Sequence, residues 1–244
     1  MKISMLKSRL VNFFELLTIS PILFPKLAID YFVIKKEVKK RQGLLKTKSN
    51  SDDPESFEKY FNFKDNFIQL SLIRVAKLGL TNSKNKLEIL DLGTGAGYFP
   101  FICNYYKNNC EAIDIAGNQF YDQSTEVLNL KKYHQEIFFN EDIVTSKKYD
   151  LICAYMICFN GHKTSKLWAE KEWSQFLISL ISKNLNLNGR IFLSFNLEED
   201  NMPFSPSVKI FFESFADKVS KNEVLITNKV NMIELIEELI EELI

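Results

Sequence analysis

Glycines and a carboxylate follow one another closely in the stretch 87–99, which reads LEILDLGTGAGYF. A short apolar run contains Asp91, and glycines then occupy every second position at Gly93, Gly95 and Gly97. Glycine permits sharp turns and close approach of the backbone to a ligand. The helix predicted after the loop also presents free N–H donors at its N-terminus. The pattern therefore predicts a loop that holds a ligand through its backbone.

Two common nucleotide-binding motifs do not fit this loop. G-x-G-x-x-G requires a glycine where Tyr98 stands, and a P-loop requires a lysine after its last glycine. The remaining pattern, D-x-G-x-G-x-G, resembles the first motif of class I S-adenosylmethionine (SAM) dependent methyltransferases. This resemblance, which covers about residues 85–230, implies that Asp91 helps to hold the amino group of the cofactor. It also implies backbone contacts to SAM from Gly93, Thr94, Gly95 and Gly97.

The same resemblance assigns roles to residues after the next two predicted strands. Asp114 would accept the ribose hydroxyls, the physical logic of dinucleotide sites, and Ile115 would pack on the adenine. A turn-forming aspartate is the alternative for Asp114. In the segment 140–143, Asp142 would accept from the adenine amino group beside Ile143, with Glu141 as the second candidate. A helix N-cap is the alternative for Asp142.

The predicted fourth strand, DLICAYM, leads into the loop ICFNGHK. Ligands of open α/β sheets bind at the carboxyl ends of the strands, so Tyr155 and its neighbours should border the methionine part of the cofactor. His162 in the loop is a candidate general base for an alcohol acceptor, and a surface histidine is the alternative. The loop lacks the [DN]-P-P-[YF] sequence that resembles amino methyltransferases of nucleic-acid bases.

Apolar runs alternate with helical segments from residue 87 onward, which predicts an α/β fold. We expect strands at 87–92, 110–115, 136–140, 149–156 and 190–196, the last after a tight Asn188-Gly189 turn. Two further strands near 216–228, joined by a short turn, must be antiparallel. The prediction is a seven-stranded Rossmann-like methyltransferase sheet, with five parallel strands, a C-terminal antiparallel hairpin and an N-terminal helical extension.

Three domains follow from these patterns. Residues 1–80 form a helical extension or cap, with helices near 10–17, 25–41 and 55–79, and residues 81–230 form the SAM-binding domain. Residues 231–244 are the third, and within them 232–244 form an amphipathic helix whose apolar stripe should be docked, because thirteen residues are marginal for an isolated helix.

Charge is distributed unevenly along the neutral chain. Residues 1–50 carry eleven Lys and Arg against three acidic residues, and five basic residues lie between Lys35 and Arg41. Such a helix can contact an anionic membrane surface through residues 25–41, cap the site, or present a solvated face. The sequence allows a homodimer. The absence of a net positive charge disfavours a nucleic-acid partner. The interrupted apolar N-terminal run and the cysteine spacing indicate a cytoplasmic protein, peripheral to the inner membrane face at most, without a metal site.

The expected activity is methyl transfer from SAM to a hydroxyl of a small molecule or glycan. The alternatives are transfer to nitrogen or carbon on a lipid, protein or RNA, and a catalytically silent SAM-binding partner protein.

Overall fold

The computed structural model describes residues 11–12, 14–19, 21–45, 60–61, 64–81, 86–156, 168–196 and 202–243. These residues divide into two compact units. The N-terminal unit lies within Met1–Lys86 and Thr94–Tyr133, and the C-terminal unit lies within Leu87–Gly93 and His134–Ile244.

Helices and strands alternate from the middle of the chain onward. The bounded helices are α1 (Phe24–Gln42), α2 (Lys64–Lys77), α3 (Tyr98–Tyr105), α4 (Gln119–Val127), α5 (Glu170–Asn184), α6 (Pro206–Phe215) and α7 (Met232–Leu243). Residues 11–12 and 14–19 are also helical. The strands are β1 (Glu88–Leu92), β2 (Asn109–Asp114), β3 (Lys132–His134), β4 (Tyr149–Tyr155), β5 (Leu185–Ser194), β6 (Lys218–Val219) and β7 (Glu223–Thr227).

The described strands form one seven-stranded sheet in the order β3-β2-β1-β4-β5-β7-β6. β4 pairs in parallel with both β1 and β5, whereas β7 is antiparallel to β5 and β6. β7 therefore enters the sheet between β5 and β6 and reverses the strand direction. This order, with its antiparallel C-terminal strands and flanking helices, confirms the predicted Rossmann-like methyltransferase fold class.

Two local predictions were wrong. The third strand is Lys132–His134, not 136–140, where the chain forms no strand. The Asn188-Gly189 turn lies inside β5 rather than before it. Tyr149 pairs with Leu185 and Leu151 with Arg190, so the residues between Leu185 and Arg190 bulge out of the ladder.

The N-terminal unit places α1 and α2 beside the helices that follow the glycine loop. α1 begins with Pro25 in its first turn, where proline loses no intrahelical hydrogen bond. Leu27, Ile34 and Val38 recur at helical spacing and are fully buried. The prediction of a helix over 25–41 is confirmed, whereas α2 begins at Lys64, and residues 55–59 and 62–63 of the predicted helix 55–79 lie outside the described residues. No helix in the described ranges has the length and apolar character needed to cross a bilayer.

The C-terminal unit has an aromatic core around Trp173 of α5. Its indole contacts the rings of Phe176, Phe195 and Phe212 at centroid distances of 5.2–6.1 Å. α7 packs against α5 and α6 and buries Met232 and Ile236. The acidic C-terminal helix is therefore docked through its apolar stripe, as predicted.

Candidate functional site

The glycine loop adopts a backbone that side chains rarely permit. Gly93, Gly95 and Gly97 have φ angles of 69°, 55° and 80°, all in the left-handed region. The amide of Gly97 donates to the carbonyl of Thr94 at 3.1 Å, and α3 begins immediately afterwards. The alternating glycines are therefore a conformational requirement of the turn that joins β1 to α3.

Gly95 and Gly97 differ in the space around them. A Cβ atom at Gly97 would lie 2.6 Å from Cδ1 of Leu130 and 3.0 Å from Cγ2 of Thr125. At Gly95 the nearest atoms would be those of the Tyr121 ring, at 3.9 Å. Gly97 thus allows close packing against the α4 region, whereas a Cβ at Gly95 would only reach van der Waals contact with the aromatic ring.

Asp114 at the end of β2 is bound to this loop. Its Oδ2 accepts a hydrogen bond from the amide of Gly95 at 2.5 Å, and its Oδ1 accepts from the amide of Ile115 at 2.8 Å. A carboxylate can accept about four hydrogen bonds, so each oxygen keeps acceptor capacity. The structure brings the predicted loop and the predicted ribose ligand into direct contact.

Burial shapes the electrostatics of Asp114. Removal from water raises the pKa of its carboxyl above the usual range, while the amides of Gly95 and Ile115 and the charge of Lys132 act in the opposite direction. Ile115 beside it is 50% exposed although its side chain is apolar. The loop therefore has a buried acceptor next to an accessible apolar surface.

Thr94 connects the loop to the sheet and contributes a polar atom. Its amide donates to the carbonyl of Ile113 at 3.2 Å, which holds the loop against β2. Its Oγ1 is buried and has no hydrogen-bond partner among the residues that the structure describes. A buried hydroxyl is usually paired, so this one indicates a place where a ligand group could bind.

A hydrogen-bonded chain from the N-terminal extension supports the start of α3. The Tyr98 hydroxyl donates to the carbonyl of Tyr60 at 2.7 Å and accepts from Nε2 of Gln42 at 2.8 Å. The Tyr60 ring contacts the ring of Tyr121, 5.5 Å between centroids, beside Gly95. Sequence reasoning missed Tyr60, Tyr121 and Gln42, since no local pattern joins residues 56 positions apart.

The predicted residues of the C-terminal unit lie on β1, on β4 and before β4. Asp91 is buried on β1, in register with Cys153 of β4. Tyr155 ends β4 with its ring 5.4 Å from that of Phe192. Met156 follows with φ 54°, and its amide donates to the carbonyl of Ser194. Residues 157–167, which include His162, lie outside the described residues.

Asp142 and Ile143 are anchored to α5. The carboxylate of Asp142 accepts from the Ser179 hydroxyl at 2.7 Å and from Nζ of Lys183 at 2.5 Å. These hydrogen bonds hold the pKa of Asp142 below its usual range. The buried Ile143 accepts from Asn184 through its carbonyl at 3.0 Å. No helix begins within 142–148, so the helix N-cap interpretation of Asp142 was wrong.

Neither a protein-family model nor a curated protein matches the sequence. Solved structures are similar to parts of it. An S-adenosylmethionine dependent methyltransferase from Mesorhizobium loti shares 12% identity over 48% of this chain and 50% of its own, with a TM-score of 0.36. An amino pentose methyltransferase from Micromonospora echinaspora shares 10% over 56% and 53%, with a TM-score of 0.42. Magnesium protoporphyrin IX methyltransferase from Synechocystis shares 13% over 74% and 95%, with a TM-score of 0.46.

The chain spans about half the length of the first two of these structures. At such identities and overlaps, a functional assignment depends on the chain's own residues, above all on the glycine loop and Asp114.

Proposed function

We propose that the chain is a class I SAM-dependent methyltransferase. The observation that carries this proposal is the pair of hydrogen bonds that Gly95 and Ile115 donate to the two carboxylate oxygens of Asp114. A glycine loop after the first strand and an acidic residue at the end of the second are the two parts that a nucleoside cofactor requires. The strand order of the sheet supports the same family.

The residues of the N-terminal unit fit such a cofactor. Asp114 has free acceptor capacity for ribose hydroxyls, and the exposed side chain of Ile115 offers an apolar surface for adenine. The buried hydroxyl of Thr94, which has no partner among the described residues, and the side-chain-free backbone of Gly95 offer further contacts. Asp91 and Gly93 would bind the methionine end, Tyr155 would border it, and Asp142 with Ile143 would contact the adenine.

When bound, SAM supplies a methyl group on a positively charged sulfur. The protein's task is then to position the acceptor in line with that group, because positioning provides much of the acceleration in such a displacement. An uncharged hydroxyl acceptor must also lose its proton. We assign this step to His162, whose ordinary pKa near ~6.5 suits a general base at neutral pH.

The acceptor in this proposal is a hydroxyl of a small molecule or a glycan. The loop after β4 lacks the sequence that resembles amino methyltransferases of nucleic-acid bases, which supports an oxygen acceptor over an exocyclic amine. Methylation of nitrogen or carbon acceptors in place of hydroxyls would favour the first alternative. Cofactor binding without any methyl transfer would favour the second, a silent partner protein.

Calorimetric titration with S-adenosylhomocysteine tests the cofactor assignment. We expect binding by the full chain and its loss in Asp114→Ala. Asp150→Ala is a matched control, because the carboxylate of Asp150 also accepts a backbone amide, that of Glu88 at 2.9 Å, but belongs to no part of the proposed site. No binding by the well-folded wild-type chain would refute the proposal.

Methyl transfer from labelled SAM to a panel of hydroxylated acceptors then tests the activity. For an accepted substrate, His162→Gln should lower kcat by about 10²-fold or more, since general base catalysis contributes that much. Its affinity for S-adenosylhomocysteine should stay unchanged. Cofactor binding without transfer to any acceptor would support the silent-partner alternative.

A further inference from the structure

Exposed apolar side chains are concentrated at the start of the N-terminal unit. Among the described residues, half of the large apolar side chains that are exposed lie within residues 11–44. On α1 and just before it, Ile22, Ile29 and Phe32 are 91%, 65% and 63% exposed, and Val33 is also exposed. A concentration of this kind marks an interaction surface more often than scattered exposed residues do.

Exposed lysines continue the same face of α1. Ile29, Phe32, Lys36 and Lys39 are spaced three or four residues apart and therefore lie along one stripe of the helix. Lys40 lies beside this stripe, one turn after Lys36. We call these residues, with Ile22 and Val33, the outer face of α1. It is apolar in its N-terminal half and basic in its C-terminal half.

The opposite side of α1 is held inside the N-terminal unit. The buried carboxylate of Asp30 accepts from the hydroxyls of Tyr105 at 3.0 Å and Tyr106 at 2.6 Å. Glu37, the other acidic residue of α1, forms an ion pair with Arg41 at 2.7 Å. Both carboxylates of the helix are thus engaged, and neither lies on the stripe that carries the lysines. Because the opposite side of α1 packs inside the unit, the outer face points away from the unit.

The preceding helical residues, 11–12 and 14–19, also expose apolar side chains. Val11, Phe14 and Leu17 are exposed at helical spacing, while Leu16 is fully buried. Glu15 forms an ion pair with Lys77 of α2 at 2.9 Å, and Asn12 donates to Asn66 of the same helix at 2.9 Å. This segment is therefore also anchored on one side and apolar on the other.

We propose that the outer face of α1 docks on an anionic lipid surface. The exposed aliphatic and aromatic side chains can enter the acyl boundary, and the lysines that follow them along the helix can meet the phosphates of anionic lipids. From Ile22 to Phe32 the apolar half extends about 15 Å along the axis.

Two other occupants fit this face less well. A symmetric second copy would present the same outer face, which has no carboxylate to pair with Lys36, Lys39 and Lys40. A nucleic acid would use the lysines but would leave Ile22 and Ile29 exposed. The membrane inference is independent of cofactor binding, because no residue of the outer face belongs to the proposed SAM site.

Sedimentation with vesicles tests this inference on the full chain. We expect binding to phosphatidylcholine vesicles that contain phosphatidylglycerol, weaker binding as salt rises, and little binding to phosphatidylcholine alone. Each of Lys36→Gln, Lys39→Gln and Lys40→Gln should weaken binding about fivefold. The double variant Ile29→Ser with Phe32→Ser should weaken it by about tenfold or more.

Matched controls separate docking from general surface properties. Ile210 on α6 is 65% exposed, like Ile29, so Ile210→Ser should bind vesicles as the wild type does. Lys218→Gln with Lys221→Gln removes two exposed lysines elsewhere and should also have little effect. The proposal is overturned if the wild-type chain does not bind anionic vesicles at low salt or if the control variants lose as much binding as the outer-face variants. It is also overturned if ultracentrifugation shows a dimer that Phe32→Ser dissociates.

Discussion

The amide of Gly95 and the carboxylate of Asp114, 19 residues apart in the chain, form a short hydrogen bond that joins the glycine loop to the end of β2. The carboxylate is buried and yet ionisable, so its protonation state couples the loop to pH. Because burial raises the pKa of Asp114, the acid form appears at a higher pH than for an ordinary aspartate.

A pH dependence of cofactor binding follows from this shift. The ionised carboxylate accepts hydrogen bonds and predominates above the raised pKa. Affinity for S-adenosylhomocysteine should therefore be highest above that pKa and fall as the pH drops through it, before ordinary aspartates are protonated. Calorimetry across the acidic range measures the profile. An affinity that stays constant down to the usual aspartate pKa of about 3.9 would contradict the assignment of Asp114.

Gly97→Ala should destabilise the protein more than Gly79→Ala. Both glycines have a left-handed φ, 80° and 73°, so both substitutions cost about 1–2 kcal/mol of backbone strain. A Cβ at Gly97 also meets Leu130 at 2.6 Å, whereas nothing lies within 4 Å of a Cβ at Gly79. We expect about 1–3 kcal/mol of additional loss at Gly97 from overpacking, measured by urea unfolding. Equal losses would mean that the loop yields easily at Gly97.

Removing the Tyr98 hydroxyl should weaken the N-terminal unit. In Tyr98→Phe, the buried Nε2 of Gln42 and the carbonyl of Tyr60 lose their shared partner. The expected loss in unfolding free energy is about 1–3 kcal/mol. Tyr105→Phe removes a hydroxyl from Asp30, which keeps the bond from Tyr106, so its loss should be smaller. Denaturant unfolding of both variants gives the comparison, and a larger loss in Tyr105→Phe would contradict it.

Asp142 can be tested for its proposed adenine contact separately from its structural contacts. Asp142→Ala should weaken S-adenosylhomocysteine binding by about tenfold, the effect of losing one hydrogen bond to a charged group. Lys183→Ala removes the ion pair on the same carboxylate and should leave the affinity within about twofold, since exposed ion pairs contribute little. If both variants bind alike, Asp142 serves only to anchor the segment before β4 to α5.

The regular elements with a strong periodic pattern could be predicted from the sequence. The apolar runs of β1 and β4 have nearly the predicted bounds, and α1 differs from the predicted helix 25–41 by one residue at each end. These segments are buried along a stripe or on both faces, so the side-chain pattern itself reports the structure. The glycine loop belongs to this class, because its φ angles demand glycine.

The edge strand β3 could not be predicted in this way. Phe138 in the predicted strand 136–140 is exposed, whereas the polar residues Lys132–His134 form the actual strand. A short strand at the edge of a sheet is selected by its backbone hydrogen bonds with a neighbour, and its side chains need not be apolar. The bulge at Asn188-Gly189 within β5 has the same origin, since pairing with β4 decides it.

By itself, the sequence determined the fold class and the conformation of the glycine loop, because local spacing and conformational limits act within a few residues. Only the tertiary structure decided which distant groups meet. The Tyr98 hydroxyl meets Gln42 56 residues away, Asp142 meets Lys183 41 residues away, and α1 turns its lysines and Phe32 to the same outer face. Such contacts depend on how helices pack against one another and against the sheet, and packing is a property of the whole chain.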